Sequence, residues 1–303
     1  MERQNWTMVT EVILTGIPTT RALGGLLFSV FLAAYLVTVL GNALIIVLIL
    51  TDGRLQSPMY FFLSNLSFSE MVTTTCAAPT LLGGFLRGRS RVSLGGCSAQ
   101  SYFYFLSGCT EFVLFAVMSY DRYVAICSPL QYPAIMTGSL CVRLVVLSWA
   151  GGFLLILPST VLKAGLPYCG PNVIDHFFCD SGPLLHLACA DVRAIALLDF
   201  LSSLVLLLSS LSLTVVSYVY IVSTILKITS RQVQGRVRAF STCASHLTMV
   251  TLYYGAGLIR YMQPKSLYSA EGDKLMALFY AVLIPVLGPF IHSLRNKEVK
   301  GAV

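Results

Sequence analysis

Charge is missing from most of this chain in long blocks. Ala22–Thr51, Leu144–Leu162, Phe200–Leu226, Ala239–Ile259 and Leu275–Leu294 hold no Asp, Glu, Lys or Arg, and Ser57–Leu86 and Val92–Tyr120 hold one acid each, Glu70 and Glu111. Each block reaches the ~18 apolar residues that mark a bilayer-spanning helix. In hydrocarbon a backbone must satisfy its own hydrogen bonds, so such runs are helices rather than open strands. A large soluble helical core would need helices with one polar face, and these are apolar nearly all round. Only 11% of the 303 residues are charged and 56% are hydrophobic, against about 25% charged in a soluble domain. The expected fold is an all-α membrane protein, a single-domain bundle of seven transmembrane helices. The expected helices are 23–50, 57–86, 93–126, 142–162, 194–228, 236–261 and 272–293, with a terminal segment at 1–22 and a basic tail at 294–303. That tail suits a short helix on the inner membrane surface.

Orientation needs more than basic residues. Arg54, Arg122, Arg143, Lys227, Arg231, Arg236, Arg238, Arg295, Lys297 and Lys300 make ten on one side, and the other side also has ten, so the positive-inside rule is tied. Asn5-Trp6-Thr7 is a glycosylation acceptor usable only outside the cytosol. Cys97, Cys169, Cys179 and Cys189 fall in the same set of loops, while Cys76, Cys109, Cys127, Cys141 and Cys243 lie in helices or near the opposite face. Four loop cysteines in an oxidising space read as two bridges, and spacing does not choose among the three pairings. The amino terminus is therefore expected outside. Glu2, Arg3 and Glu11 interrupt any cleavable signal sequence, so the first crossing is expected to act as its own insertion signal. Arg87, Arg89 and Arg91 then form an extracellular basic cluster. Loops are short except 163–193, where three cysteines can tie a long loop down.

Several motifs occur in order along almost the whole chain. They are Gly41-Asn42, PMYFFLSNLSFSE from Pro58, MSYDRYVAICSPLQY from Met118, LPYCGPNVIDHFFCD from Leu166, SYVYI from Ser217, RAFSTCASHL from Arg238 and PFIHSLRN from Pro289. With them the chain resembles an olfactory receptor, a rhodopsin-like G-protein-coupled receptor, in its tetrapod-type form. The resemblance implies that a small odorant is the ligand and that a stimulatory, olfactory-type heterotrimeric G protein raising cyclic AMP is the partner. It also implies a multi-pass place in the plasma membrane, in olfactory cilia. It implies bridges Cys97–Cys179 and Cys169–Cys189, and a switch at Asp121-Arg122-Tyr123 with Tyr218, His246, Pro289 and His292. Lys227, Arg231, Arg236 and Arg238 would supply a basic rim for the G protein. An adjacent acid and base neutralise each other at the membrane boundary, which lowers the cost of placing Arg122 there.

Between the outer halves of the third, fifth, sixth and seventh crossings, helical spacing puts certain residues on inward stripes. These are Tyr104, Phe105, Gly108, Cys109 and Phe112; Ser202, Ser203 and Leu206; Tyr254, Gly257, Leu258 and Tyr261; and Leu278, Ala281 and Val282. None is charged, and such a wall suits a small, mostly apolar, neutral molecule. Glu70 and Glu111 are the only acids deep in the membrane, and adjacent helices can bring them together as a sodium or proton site. No other cofactor is expected. His176-Phe177-Phe178-Cys179-Asp180 also has the spacing of a metal site, but a cysteine in a disulfide offers no thiolate.

The seventh crossing departs from the family pattern, which reads P-x-x-N-P-F-I-Y. Here Gly288 stands before Pro289 and His292 closes the motif. Gly288 removes an amide from the core and His292 brings a ring that can become charged, so basal activity or the ease of activation is expected to differ. A transporter would show repeats and paired broken helices, and neither is found. No lysine lies mid-way along the seventh crossing, which excludes a retinal Schiff base. No H-E-x-x-H or G-x-S-x-G cluster supports an enzyme, and nothing points to nucleic acid.

Overall fold

The computed structural model describes residues 9–169, 171–227, 233–262 and 270–295, with the side chains of 233–242, 260–262, 270 and 292–295 outside the description. Seven long helices form the bundle. They are α1 (Arg21–Thr51), α2 (Pro58–Arg87), α3 (Leu94–Cys127), α4 (Gly138–Ala164), α5 (Arg193–Lys227) and α6 (Val233–Met262). The last, α7, runs as Ala270–Leu278, a wider π turn at Phe279–Leu283, and Ile284–Arg295. The expected cytoplasmic helix after the seventh crossing lies outside the described residues, beyond Arg295.

Caps set several of these ends. Pro58 opens α2 at a position where its missing N–H costs nothing, and Gly88, at φ 72°, closes it in the left-handed region. Ser93 Oγ accepts the Gly96 N–H to start α3, and Thr137 Oγ1 accepts the Leu140 N–H to start α4. That cap explains why α4 begins at Gly138 rather than at 142. Pro79, Pro158 and Pro289 sit inside α2, α4 and α7.

The bundle is inside-out relative to a soluble protein. Leu40, Leu50, Leu147 and Leu226 are 64–70% exposed, whereas Asn42, Ser69, Glu70, Thr73, Ser107, Glu111, Ser119, Asp121 and His246 are buried. Only a hydrocarbon solvent makes that distribution favourable. The helices α1, α3, α4, α5 and the stretch Glu271–Ile291 of α7 are each long and apolar enough to cross a membrane. α2, whose inward stripe of Ser67, Ser69, Glu70, Thr73 and Thr74 is polar, and α6 complete the seven. α3 lies at the centre, packed on α2, α4, α5 and α6, and α7 closes against α1, α2 and α6.

A small sheet caps one end and was not foreseen from the sequence. β1 (Glu11–Leu14) lies between β2 (Ser90–Ser93) and β3 (Val173–Ile174), antiparallel to the first and parallel to the second. Val12 and Leu14 are buried against Tyr168, Ile174 and the Cys97–Cys179 pair. Arg87, Arg89 and Arg91 flank this cap and are exposed.

Candidate functional site

The inner end of α3 carries a closed polar lock. The Asp121 carboxylate is fully buried. Arg122 donates to its Oδ2 from Nη2 at 2.7 Å and from Nε at 3.1 Å, and the Tyr132 hydroxyl donates to its Oδ1 at 2.8 Å. Both oxygens of the acid are thus engaged, one by its neighbour and one by the short helix Tyr132–Ile135. Burial, and then the adjacent Asp121 charge, push the Tyr132 phenol well above its ordinary range, so it stays a donor. Tyr132 lay within a quoted motif but had been given no role.

Nearby, Tyr218 on α5 and His246 on α6 meet at 2.7 Å between Oη and Nδ1, with their rings stacked. Tyr123 packs with Tyr218, Ile221, Ile225 and Cys243, joining α3, α5 and α6. Lys227 ends α5 and is exposed. Arg231 lies outside the described residues, as do the side chains of Arg236, Arg238 and His292. On α7, Pro289 presses on α1: a Cβ at Gly41 would lie 2.9 Å from the Pro289 Cβ. The glycine of the Gly41-Asn42 motif is what permits this approach.

Half-way through the bundle the two buried glutamates take different partners. Thr73 Oγ1 donates to Glu111 Oε1 at 3.0 Å and is itself 2.8 Å from Ser107 Oγ, while Ser69 donates to the Ser107 carbonyl. Glu111 therefore joins α2 to α3 and also reaches the Tyr253 hydroxyl on α6. Glu70 turns the other way, toward Asn42 on α1 and Gly288 on α7. Among the described residues its Oε1, the Asn42 side-chain atoms and the Thr74 hydroxyl make no hydrogen bond of good geometry, although Asn42 lies close enough to act on the Glu70 carboxyl as a donor. Glu70 and Glu111 share an electrostatic neighbourhood. Among the described residues no three His, Cys, Asp or Glu side chains gather as a metal centre.

The stripes expected to line the ligand pocket separate into two groups. Phe112 on α3 meets Tyr253 and Tyr254 edge-on at 4.6 and 5.4 Å. The Tyr253 and Tyr254 hydroxyls donate to the backbone carbonyls of Gly108 and Phe112, and Tyr280 on α7 donates to the Tyr253 carbonyl at 2.9 Å. Gly257 sits where a Cβ would meet Tyr280, Leu207 and Phe112 at 3.2–3.7 Å. Leu258 packs on the same cluster. Cys109, Ser202 and Leu206 are half-buried. Ser203 follows the spacing of buried Leu207, Ser210 and Thr214 yet is exposed. Tyr261 has its side chain outside the description.

Tyr104, Phe105, Leu278, Ala281 and Val282 belong to the second group, with Leu27, Phe28 and Phe31 of α1 and Ala77 and Leu81 of α2. Leu278 and Ala281 thus face α1 and α2 rather than α5 and α6. The π turn beside them shifts the helical register, which straight 3.6-residue spacing does not anticipate. Phe177 and Phe178 of the long loop fill the same cluster, with the Phe178 ring 4.5 Å from Tyr104.

Two ion pairs at the capped end were also missed. Lys163 Nζ is 2.7 Å from Asp199 Oδ2, and Ser159 and Ser181 both donate to that carboxylate, so α4, α5 and the loop are pinned together. Lys163 had been assigned to the loop, but α4 runs on to Ala164. Asp175 accepts from Lys274 Nζ at 2.6 Å and from Thr15 Oγ1 at 2.7 Å. These two hydrogen bonds hold the Asp175 carboxyl below its ordinary range. Cys97 bonds to Cys179 and Cys169 to Cys189. His176 Nδ1 accepts the Phe178 N–H, and with Cys179 bridged the His176–Asp180 stretch is part of the cap.

A seven-helix bundle with a locked acid–base pair under a disulfide-tied loop narrows the field, and comparison with known proteins decides it. The family model for olfactory receptors matches residues 31–303. This chain belongs to the olfactory receptor family. It is 46% identical to human olfactory receptor 6A2 over 97% of this chain and 91% of that one. Identity to human olfactory receptor 10C1 is 48% over 99% and 95%. For rat olfactory receptor 226 it is 45% over 100% and 94%. The fold matches that of squid rhodopsin with a TM-score of 0.71 at 15% identity, over 94% of this chain and 81% of that one. The chain is accordingly a multi-pass membrane receptor and not an enzyme, and membership implies an odorant ligand and a G-protein partner.

Proposed function

We propose that this receptor takes a small, neutral, mostly apolar volatile molecule between α3, α5, α6 and α7, and activates a stimulatory G protein that raises cyclic AMP. The observation that carries the reading is the Asp121 lock. A buried carboxylate shared between Arg122 and Tyr132 is a two-state element, since its opening frees a cationic side chain at the inner face. The uncharged wall of Phe112, Tyr254, Gly257 and Leu206 favours ligands held by contact area.

A physical route joins the two ends. Tyr280 bonds α7 to α6, and Tyr253 and Tyr254 bond α6 to α3. A ligand with higher affinity for a different setting of α6 shifts the population away from the locked one. At the inner end the Tyr218–His246 contact then yields and Arg122 leaves Asp121 for the carboxyl end of a G-protein α subunit. Glu111 with Thr73 and Ser107, and Glu70 with Asn42, are oxygen-rich enough to suit a sodium ion or a shared proton that biases the resting setting. Insertion in the plasma membrane, in olfactory cilia, with glycan at Asn5 (outside the described residues) completes the reading.

The test is a cyclic AMP reporter in cells expressing the tagged receptor, challenged with an odorant panel. At least one small neutral odorant is expected to raise cyclic AMP dose-dependently. Responses confined to charged, non-volatile compounds at equal surface expression would overturn the pocket reading.

A further inference from the structure

Gly288 is buried on α7, one residue before Pro289. A Cβ built there would lie 2.5 Å from Glu70 Oε2, 2.8 Å from Oε1 and 3.0 Å from Cδ. No real side chain accepts such contacts unless the carboxylate moves. On a surface the carboxylate would swing away; here Glu70 is 2% exposed, so any displacement must be taken up by neighbouring side chains in a packed interior.

We propose that Glu70 and Gly288 are a single steric unit: the carboxylate of residue 70 fills the volume a side chain at residue 288 would need, and so sets where α7 rests against α2. Three observations support it. The contact is made by the whole carboxyl group, not one atom. Among the described residues Glu70 Oε1 makes no hydrogen bond of good geometry, so packing helps to position this acid. At the next residue, Pro289 comes within 2.9 Å of a Cβ position at Gly41, so α7 also rests on α1. The helix is seated on α2 and on α1 at adjacent residues.

The consequence is a dependence of position 288 on the length of the acid at position 70. Shortening Glu70 to aspartate withdraws the carboxyl by roughly 1.5 Å, one C–C bond, and opens the space above Gly288. Glutamine at 70 keeps the length and changes only the charge. Gly288 is then a positioning residue whose tolerance reports the seat of α7. This inference does not depend on which ligand or G protein the receptor uses.

The experiment measures surface amount of the full-length, epitope-tagged receptor in cultured cells by antibody binding, without odorant or reporter. Gly288→Ala should lower it about fivefold, as overpacking in a core does to abundance. Glu70→Asp alone should stay within about twofold of the parent. Glu70→Asp with Gly288→Ala should recover to about the level of Glu70→Asp, while Glu70→Gln with Gly288→Ala should not recover. Rescue by the shorter acid and not by the isosteric amide is the signature of a volume unit. The proposal fails if Gly288→Ala is tolerated beside Glu70, if Glu70→Asp gives no rescue, or if Glu70→Gln rescues equally. A receptor that never raised cyclic AMP would sink the functional reading and leave this result standing.

Discussion

The inner end of α3 and the middle of α7 handle buried charge in opposite ways. At Asp121 both carboxylate oxygens are bonded, to Arg122 and Tyr132. At Glu70 one oxygen is unpartnered among the described residues, and the acid lies against a glycine and beside Asn42. The first arrangement is held by specific electrostatics. The second is set largely by shape. On the proposed reading, one receptor carries a switch built from hydrogen bonds and a helix seat built from packing.

Asp121→Ala should break the contrast most strongly. Removing one partner of a buried pair costs about 3–5 kcal/mol, here charged to the resting state, so basal cyclic AMP per surface receptor should rise severalfold. Unchanged basal signalling would mean that the lock does not restrain the receptor. Tyr132→Phe removes one hydrogen bond to the same carboxylate, worth about 1.5–3 kcal/mol, and should raise basal signalling in the same direction by less. Glu70→Gln should lie within about 1 kcal/mol of the parent in thermal stability after detergent extraction, because the amide keeps the length and volume of the acid. A large loss there would show that Glu70 is held electrostatically after all. Glu111→Gln should alter activation or its sodium sensitivity, and no change in either would remove the cation and proton reading.

The smallest effect lies at the cap. The Asp175 carboxyl is held below its ordinary range by Lys274 and Thr15, so its native form binds a proton less readily than the unfolded chain does. Its contribution is present above the ordinary carboxylate range and fades as pH falls through the lowered native value. Thermal stability of the extracted receptor should therefore lose a small increment on acidification that Asp175→Asn does not show. Asp175 is 60% exposed on its side chain, so screening by salt should shrink that increment further.

Much of this was legible before any coordinates. Uncharged runs gave the seven helices, and the motif around Asp121 and Arg122 gave the lock because acid and base are adjacent in sequence. What escaped needed partners far apart in the chain. Tyr132 was visible but its target was not, and Lys163 and Asp199 looked like ordinary helix-end charges until α4 and α5 met. Leu278 and Ala281 join a cluster that also takes in α1 and α2, where a π turn shifts the spacing that the sequence suggests. Gly288 was read as a lost amide; beside Glu70 it is a vacancy already filled. The exchange of Gly288 to Asn with His292 to Tyr, intended to restore the family pattern, should consequently disturb the receptor unless Glu70 is shortened as well.

The central claim is that ligand binding in the outer bundle frees Arg122 from Asp121 to engage a G protein. It is tested most directly by odorant-evoked cyclic AMP in the parent receptor and in Arg122→Ala at matched surface amounts. The account predicts a dose-dependent rise in the parent and none in Arg122→Ala. A full response in Arg122→Ala would contradict it.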